Sequence, residues 1–209
     1  PELLRRGIND ALPHDVNVLR VDPARHTFHA RHDAVARSYL YHVARRRSAF
    51  YKPFVWWVKE GLNVAAMRQA AAGFVGLHDF QAFSDDDPEE RSTRVQVDAF
   101  EIHEDGDLVL FHVQGSHFIW KMVRRLVGVL VAVGRGELPV ADAAALLDRP
   151  SDLPARLTAP ASGLFLERVF YPGESTEAHL VSPVVLPTAR ALPPVPRSPR
   201  PSTAPRRRR

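Results

Sequence analysis

Hydrophobic and polar residues follow two spacings along the chain, and each spacing predicts one kind of element. Apolar residues that alternate with polar ones predict strands over 16–22, 37–43, 95–102, 107–114 and 164–171. Apolar residues that recur every three or four positions predict helices over 3–12, 64–75, 117–134 and from Pro139 onward. The aromatic stretch 51–58 is interrupted by proline and predicts a packed loop or an edge, and the acidic stretch 78–94 predicts a surface loop.

Local signals mark where several of these elements begin and end. Asn63 is a good N-cap for the helix that follows it, and Gly76 is placed to end that helix. The sequence EDGD at 104–107 separates two alternating stretches and predicts a β-hairpin. Pro139 suits the first turn of a helix, because the N–H group that proline lacks would have no partner there.

The predicted helix 117–134 has a broad apolar side and a narrow basic one, on which Lys121, Arg124, Arg125 and Gly128 gather. One interpretation is a solvated face at the rim of a core. In the other, the glycine lets a neighbouring chain segment approach closely, and the guanidinium of Arg124 holds a carboxylate or a phosphate with two parallel hydrogen bonds. The pattern alone leaves both open.

Two tyrosines, Tyr39 and Tyr41, share one face of the predicted strand 37–43 with Arg37. Tyrosine favours strands, so one interpretation is ordinary sheet packing with hydroxyls that reach solvent. The other is a stacking platform for a nucleic-acid base, which the nearby Arg31, Arg37 and the basic run 45–47 favour.

Composition limits the classes of protein to consider. The chain has 209 residues, of which 45% are hydrophobic, enough for one large domain or two small ones. It has no cysteine, which excludes a disulfide scaffold and a cysteine-ligated zinc site and fits a reducing cytoplasm. No apolar run is as long as a membrane span, and no signal-peptide pattern opens the sequence. The first residue is Pro1 rather than methionine, so we expect a fragment or a processed product.

The net charge of +4 is unevenly placed. Residues 174–209 hold seven arginines and two acidic residues, a net +5, so residues 1–173 are close to neutral. Half of the 18 prolines lie from Pro172 onward, and no apolar periodicity supports a core there. We therefore predict a folded domain over 1–173 and a disordered tail over 174–209, whose arginines either touch nucleic acid or only add solubility.

Motifs for most reaction classes are missing. No GxSxG turn, phosphate-binding loop or GxGxxG fingerprint occurs, and no carboxylate has a recognisable catalytic context. His26, His29 and His32 are spaced by three in a predicted passage from loop to strand, where that spacing does not point three imidazoles in one direction. We therefore predict no metal site. By these patterns alone, the chain looks like half of a site.

A family resemblance supplies what the patterns do not. The segments GINDALPHDVNV, FHARHDAVARSYLYHV, GLHDFQAFS, GSHFIWKMVRRLVGVL and GLFLERVFYP occur in this order. Together they resemble the carboxyl-terminal half of the TruA-type tRNA pseudouridine synthases, over residues 1–172. In that family an Arg-x-Tyr-x-Tyr motif carries an active-site tyrosine, which corresponds to Tyr39. The MVRxxVG motif carries a basic residue of the site, which corresponds to Arg124.

The resemblance also implies what this sequence does not contain. The family's nucleophilic aspartate lies in a GRTDxGVHA motif upstream of these segments, and no such motif occurs in the sequence. Asp10, Asp15 and Asp79 lack its context. We therefore expect no catalysis by this polypeptide unless the amino-terminal half is supplied.

The fold and function expected from the resemblance can now be stated. We expect an α+β domain, a mainly antiparallel sheet with the helices 64–75 and 117–134 on one face, as the second half of a pseudouridine synthase fold. The implied activity is isomerisation of uridine to pseudouridine in the anticodon stem and loop of tRNA, without a cofactor, by a cytoplasmic homodimer.

The residues expected at the site are catalytic Tyr39 and Arg124. The residues expected to bind substrate are Tyr39 again with Arg37, Tyr41, Lys121 and Arg125. A noncatalytic RNA-binding module that uses the same tyrosine face, and an orphan half-domain from an incomplete gene model, are the alternatives.

Overall fold

The computed structural model of this chain describes residues 1–177, 182–184 and 186. The α-helices are α1 (Glu2–Ala11), α2 (Val64–Ala72), α3 (Met122–Gly134), α4 (Val140–Ala145) and α5 (Leu153–Arg156). The strands are β1 (Ala36–Ala44), β2 (Trp56–Trp57), β3 (Gly76–Asp79), β4 (Arg94–Asp105), β5 (Leu108–Gly115) and β6 (Leu164–Phe170). Short 3₁₀ turns lie at Gln81–Phe83 and Ala161–Gly163.

The strands form one sheet with β1 at its centre. The sheet order is β2-β1-β5-β4-β3, and β6 also pairs with β1, beside β2. Among the described strands only β1 and β2 pair in parallel; the other pairings are antiparallel. In this register Tyr39 lies between Val113 of β5 and Leu166 of β6. The backbone of Tyr39, the tyrosine that the family resemblance places in the active site, is therefore held by strand pairing on both sides.

One face of the sheet carries the main hydrophobic core, as predicted. Tyr41 and Val43 of β1 point to this face, together with Phe111 and Val113 of β5. The helices α2 and α3 cover it, and their inward side chains are almost completely buried. The mixed α+β class, the mainly antiparallel sheet and the placement of both helices on one face are thus confirmed.

The hairpin and the final strand were also predicted correctly, but several boundaries differ. The Asn63 side chain caps α2 by accepting a hydrogen bond from the Ala66 N–H, yet α2 ends at Ala72 because Gly73, not Gly76, is its C-cap. The helix predicted from residue 117 begins at Met122 instead. Residues 116–121 form a connection that ends in Lys121, whose left-handed backbone (φ 62°) turns the chain into α3.

Two predicted elements are wrong. No strand forms over 16–22; Asn9 of α1 instead bonds both backbone groups of Val18, at 2.9 and 2.7 Å. The stretch 78–94 is not only a surface loop, because Phe80 and Phe83 are fully buried in the core. A strand needs a partner for its backbone groups, and the few apolar residues of a polar stretch can still be enclosed when the chain folds.

A smaller apolar cluster covers the opposite face of the sheet. It consists of the buried residues Leu40, Ala44, Val55, Leu108, Leu110 and Val184. Val184 belongs to the stretch 174–209, in which the sequence predicted no packed residue, and it is only 4% exposed. Residues 178–181, 185 and 187–209 of the predicted disordered tail lie outside the described residues.

His42 is a buried titratable group on this outer face. Its ring is fully buried, meets the Phe165 ring edge-on at 4.8 Å, and has its Nε2 atom 3.0 Å from the Ser182 hydroxyl oxygen. Burial lowers the pKa of His42 to about 4, because a charged imidazolium would lose its hydration there. Burial also lowers the pKa of His112 on the same face, although Glu167 opposes this effect.

Helix α3 approaches the segment after α5 more closely than a side chain would allow. A Cβ atom added at Gly128 would overlap the carbonyl group of Leu157 and also press on the Ala159 nitrogen. The backbone hydrogen bond from Ala159 N–H to the Arg124 carbonyl, 3.1 Å long, joins the same two segments. The structure thus favours the second of the two interpretations of the basic side, in which the glycine lets a neighbouring segment approach closely beside Arg124.

Gly128→Ala should therefore destabilise the domain by about 1 to 3 kcal/mol, because the added methyl group forces two backbone segments apart. Gly61→Ala is the control, since a Cβ atom there meets nothing within 4 Å. Urea-induced unfolding of the two variants and the parent measures the difference. Equal stability of Gly128→Ala and the parent would show that α3 does not pack in this way.

The stability of the domain should fall as the pH drops from about 6.5 towards 4. Between these values the unfolded chain binds a proton at His42 and the folded chain does not, so acid favours unfolding. In urea titrations at pH 7 and pH 5, His42→Gln should show a smaller difference than the parent, with the remainder due in part to His112. The control is His14→Gln at an exposed position, which should lose as much stability between pH 7 and pH 5 as the parent does. If His42→Gln also lost as much as the parent, His42 would not be the cause of the acid sensitivity.

Candidate active site

Tyr39 lies near the start of β1 on the helix-covered face and is half-buried. Its ring meets the ring of Phe118 nearly edge-on, with centroids 5.1 Å apart and planes at 77°. Its hydroxyl group has no hydrogen-bond partner within the described residues. Burial raises the pKa of the Tyr39 phenol, and the charge of Arg37 partly offsets this rise. The phenol is therefore protonated at neutral pH and available to a ligand.

A cavity of about 380 Å³ opens beside the Tyr39 ring. It is lined by Tyr39, Asp86, Arg91, Phe118, Ile119, Trp120, Lys121, Met122, Val123, Arg124, Ala161 and Leu164. Aromatic and aliphatic side chains make up most of its wall, and a few charged groups converge on it. Ligand pockets in proteins commonly combine these two features.

Arg124, in the first turn of α3, presents a positive charge to this cavity. Its Nε atom donates a 2.6 Å hydrogen bond to the carbonyl oxygen of Ala159, so the close packing at Gly128 also holds the guanidinium in place. Among the described residues no carboxylate lies within 4 Å of it, and its two Nη atoms have no hydrogen-bond partner. The group is thus oriented by the protein and still able to pair with an anion.

Lys121 and Arg125 flank Arg124 in sequence but meet the same acidic residue. Lys121 Nζ lies 2.7 Å from one carboxylate oxygen of Asp85, and Arg125 pairs with the other. These hydrogen bonds lower the pKa of Asp85, and the bond from Lys121 has the larger effect. Lys121 lines the cavity, whereas Arg125 is only 4% exposed and does not. The structure therefore does not support Arg125 as a substrate-binding residue, because its charge is used inside the protein.

Arg37 holds three backbone carbonyl groups beside the cavity. Its Nη1 atom donates to the carbonyl oxygens of Ala34 and Ser116, at 3.1 and 2.8 Å, and its Nη2 atom donates to that of Arg31, at 2.9 Å. Arg37 does not line the cavity next to Arg124. In this structure it links β1 to the loop before it and to the turn after β5.

Tyr41 shares the face of Tyr39 as predicted, but it lies in the core. It is fully buried, its hydroxyl donates a 2.7 Å hydrogen bond to the Pro160 carbonyl, and its ring leaves no room for a Cβ atom at Gly163. Burial raises the pKa of this phenol. The structure therefore does not support Tyr41 as a substrate-binding residue or as part of a stacking platform, because it has no ring face open to a base.

Phe118, Trp120 and Asp86 line the cavity and were not predicted as site residues. Phe118 was assigned to the apolar side of a helix, but it lies in the connection before α3 and contacts Tyr39. Asp86 accepts a 2.9 Å hydrogen bond from the Trp120 N–H, which ties the acidic loop to this connection. The available sequence signal was the pair of aromatic residues Phe118 and Trp120, which lie shortly after the predicted strand 107–114.

The described part of the chain offers neither a cluster of metal ligands nor a membrane-spanning helix. It contains no group of three or more His, Asp or Glu side chains arranged to hold a metal ion. None of its helices has both the length and the apolar character that a membrane crossing requires.

Comparison with known proteins identifies the family. The family model described as tRNA pseudouridine synthase matches residues 70–172, a range that includes α3 and most of the cavity wall. The chain is 41% identical over 165 residues to tRNA pseudouridine synthase A of Geobacter sulfurreducens, which covers 78% of this chain and 68% of the relative. It belongs to the tRNA pseudouridine synthase family.

Two other relatives give the same result. tRNA pseudouridine synthase A of Methylococcus capsulatus is 38% identical over 170 residues, which cover 80% of this chain and 63% of the relative. tRNA pseudouridine synthase A 2 of Bacillus cereus is 33% identical over 168 residues, which cover 79% of this chain and 69% of the relative. The chain is thus an isomerase by family, and the family activity is isomerisation of uridine in tRNA.

The two tyrosines of this synthase should respond differently to loss of the hydroxyl group. Tyr41→Phe should lower the free energy of unfolding by about 1 kcal/mol or somewhat more, because the buried Pro160 carbonyl loses its donor. Tyr39→Phe should leave it nearly unchanged, since the Tyr39 hydroxyl has no partner among the described residues. Urea unfolding at pH 7 measures both values, and equal losses would contradict the two environments described for these rings.

Proposed function

We propose that the cavity beside Tyr39 receives the uridine base of tRNA, and that Tyr39 and Arg124 carry the catalytic roles. The observation that supports this most is their arrangement: a half-buried ring with a free hydroxyl and a fixed guanidinium line the same cavity. A base inside a tRNA arm cannot reach such a cavity while it is stacked, so the nucleotide must be flipped out.

The reaction rearranges one base and needs no net addition or loss of atoms. The C1′–N1 bond of the nucleotide breaks, a C1′–C5 bond forms, the proton on C5 leaves, and N1 gains a proton. The protein must therefore hold the detached base, let it turn, and accept the C5 proton. An aromatic side chain suits the first task, because stacking on a base contributes about 1 to 3 kcal/mol and does not fix the base in rotation.

Tyr39 is placed to stack on the base and to assist removal of the C5 proton. Phe118 supports its ring from the side, which keeps the ring in one orientation against the cavity. Because burial raises the pKa of Tyr39, its phenol is protonated at neutral pH. It can therefore accept the C5 proton only if its own proton leaves in the same step, either to solvent or to N1, which gains a proton in the reaction.

Arg124 is proposed to pair with the family's nucleophilic aspartate. A guanidinium within a few Å keeps a carboxylate ionised by lowering its pKa, and its planar fork also orients the two oxygens. In the described residues its Nη atoms are free for such a pair, because only Nε is bonded, to Ala159. The GRTDxGVHA motif does not occur in the 209 residues, so we propose that the aspartate is supplied by polypeptide outside this sequence.

The family resemblance also suggests the position of the target uridine, the oligomeric state and the cellular compartment. We propose that the target uridine lies in the anticodon stem and loop, that the complete enzyme is a homodimer, and that it works in the cytoplasm. The cysteine-free composition fits a reducing compartment.

The roles can be tested in a protein that contains both these residues and the aspartate motif. Tyr39→Phe should bind tRNA nearly as well as the parent, because stacking remains, but should form pseudouridine about 100-fold more slowly or worse. Arg124→Lys keeps the charge and loses the planar fork, so turnover should also fall. Single-turnover assays with an unmodified tRNA transcript measure both.

Tyr41→Phe is the matched control, since its hydroxyl bonds to Pro160 inside the core and cannot reach the base. Its rate per folded molecule should stay close to that of the parent. If Tyr39→Phe were as fast as this control, the assignment of Tyr39 would be refuted. If the parent bound tRNA but formed no pseudouridine, the protein would be a noncatalytic RNA-binding module instead.

A further inference from the structure

A second cavity adjoins the one that holds Tyr39 and Arg124. It has a volume of about 460 Å³ and shares Tyr39, Phe118, Ile119 and Arg91 with the first. Its remaining wall is formed by Arg31, Arg37, Ser92 and His117. The rings of Tyr39 and Phe118 therefore lie between the two cavities, so a group bound in the second would be adjacent to a base bound in the first.

The second cavity is positively charged. Three arginines line it, and none of the carboxylates in the described residues belongs to its wall. The guanidinium groups of Arg31 and Arg91 have no carboxylate within 4 Å in the described part of the chain. Several other arginines are paired, for example Arg25 with Asp33 and Arg68 with Glu104. Arg31 and Arg91 thus bring two guanidinium groups without an ion-pair partner among the described residues to the same cavity.

The acidic loop before Arg91 contributes no carboxylate to the wall of this cavity, and its Asp87, Glu89 and Glu90 are exposed to solvent. Asp85 is already paired with Lys121 and Arg125, and Asp86 accepts the Trp120 N–H on the wall of the first cavity. The backbone N–H of Arg91 is bonded to the Asp87 carbonyl, so the loop holds the backbone from which the Arg91 side chain extends.

Arg37 fixes the backbone of two segments that line this second cavity. It does so through its hydrogen bonds to the carbonyl groups of Arg31 and Ser116. The Ser116 hydroxyl lies 3.1 Å from Nδ1 of His117 and orients this imidazole. Burial, and then the charges of Arg37 and Arg91, lower the pKa of His117. The imidazole is therefore neutral at pH 7, and its Nε2 atom is free to take part in a hydrogen bond.

We propose that this second cavity binds a backbone phosphate of the flipped nucleotide or its neighbour, with Arg31 and Arg91 as the phosphate ligands. Arginine matches a phosphate with two parallel hydrogen bonds, and such contacts fix the position of a nucleic acid without reading its bases. The proposal rests on the function proposed above, because it needs the base to lie beside Tyr39. In it, Arg37 is a positioning residue and His117 an additional hydrogen-bonding partner.

The first test is the salt dependence of RNA binding by the full chain. Each phosphate contact that is lost should lower the slope of log affinity against log salt concentration by about 0.7 to 1. Arg31→Gln and Arg91→Gln should each show this loss for an unmodified tRNA transcript and should bind several-fold more weakly at low salt. Arg91→Lys, which keeps the charge, should restore most of the slope.

Arg149→Gln is the charge-matched control, since Arg149 is exposed and lines a separate cavity. Its slope should equal the parental one, apart from any general effect of one charge. If Arg31→Gln and Arg91→Gln behaved like this control, the phosphate site would be refuted. If the parent chain did not bind the transcript, both the site and the proposed function would fall.

The second test distinguishes phosphate contacts from general attraction. Synthetic anticodon stem-loop RNAs, each with one phosphate replaced by a neutral methylphosphonate, are bound to the parent and to Arg91→Gln. At one or two linkages the replacement should weaken the parent several-fold and leave Arg91→Gln unaffected, because the two changes remove the same contact. Equal weakening of both proteins at every linkage would show that no phosphate is bound there.

This outcome is separable from failure of the proposed catalytic roles. If Tyr39→Phe turned over tRNA at the parental rate while the phosphate test succeeded, the roles of Tyr39 would be wrong and the phosphate site would stand. If Tyr39→Phe were inactive while no linkage showed the expected pattern, the catalytic assignment would stand and the phosphate site would be refuted.

Discussion

The contact between α3 and the segment that follows α5 is the constraint on which the site depends. Gly128 allows the Leu157 carbonyl to lie against the helix, and two hydrogen bonds between Arg124 and Ala159 join the same surfaces. An arginine side chain in solvent has many rotamers, and ordering it costs conformational entropy. Here the packing of two backbone segments orients the guanidinium before any substrate arrives, which is what preorganised electrostatic catalysis requires.

The three basic residues at the start of α3 show how one sequence motif is divided among different tasks. Asp85 takes up the charges of Lys121 and Arg125, so the acidic loop is fastened to the helix. Arg125 is buried in this pair, and replacing Asp85 would leave the buried guanidinium without a compensating charge. Arg124 alone keeps its terminal nitrogens unbonded within the described residues. Because its two neighbours are paired with Asp85, Arg124 is the residue of these three whose charge stays available in the cavity, which Arg91 also lines.

The same division occurs along β1. Tyr39 and Tyr41 differ by one pleat repeat and point to the same face, yet one lines a cavity and the other fills the core. The difference comes from what covers each ring: the connection before α3 leaves Tyr39 half open, whereas Pro160 and Gly163 enclose Tyr41. One strand thus places a half-buried phenol at the cavity and a fully buried phenol in the core next to it.

The sequence by itself determined the elements with strong local signals. The hairpin around Gly106, the strand that carries Tyr39 and the cap at Asn63 all follow from periodicity or from backbone chemistry that acts over a few residues. The segment resemblance likewise identified the family and the two residues proposed for catalysis. These features depend on neighbours in the chain, so the sequence contains what is needed to predict them.

Only the tertiary structure decided which of the predicted site residues reach the cavity. Burial of Tyr41 and Arg125, the enclosure of Phe80 and Phe83, and the packing of Val184 on the outer face all depend on segments distant in sequence. The cluster of Arg31, Arg91 and His117 has the same origin, since β1 and β5 bring their ends together and Arg37 bonds across them. A periodic pattern states which face a side chain takes, but the exposure of that face and the partners of a charge are set by whatever the folded chain places against it.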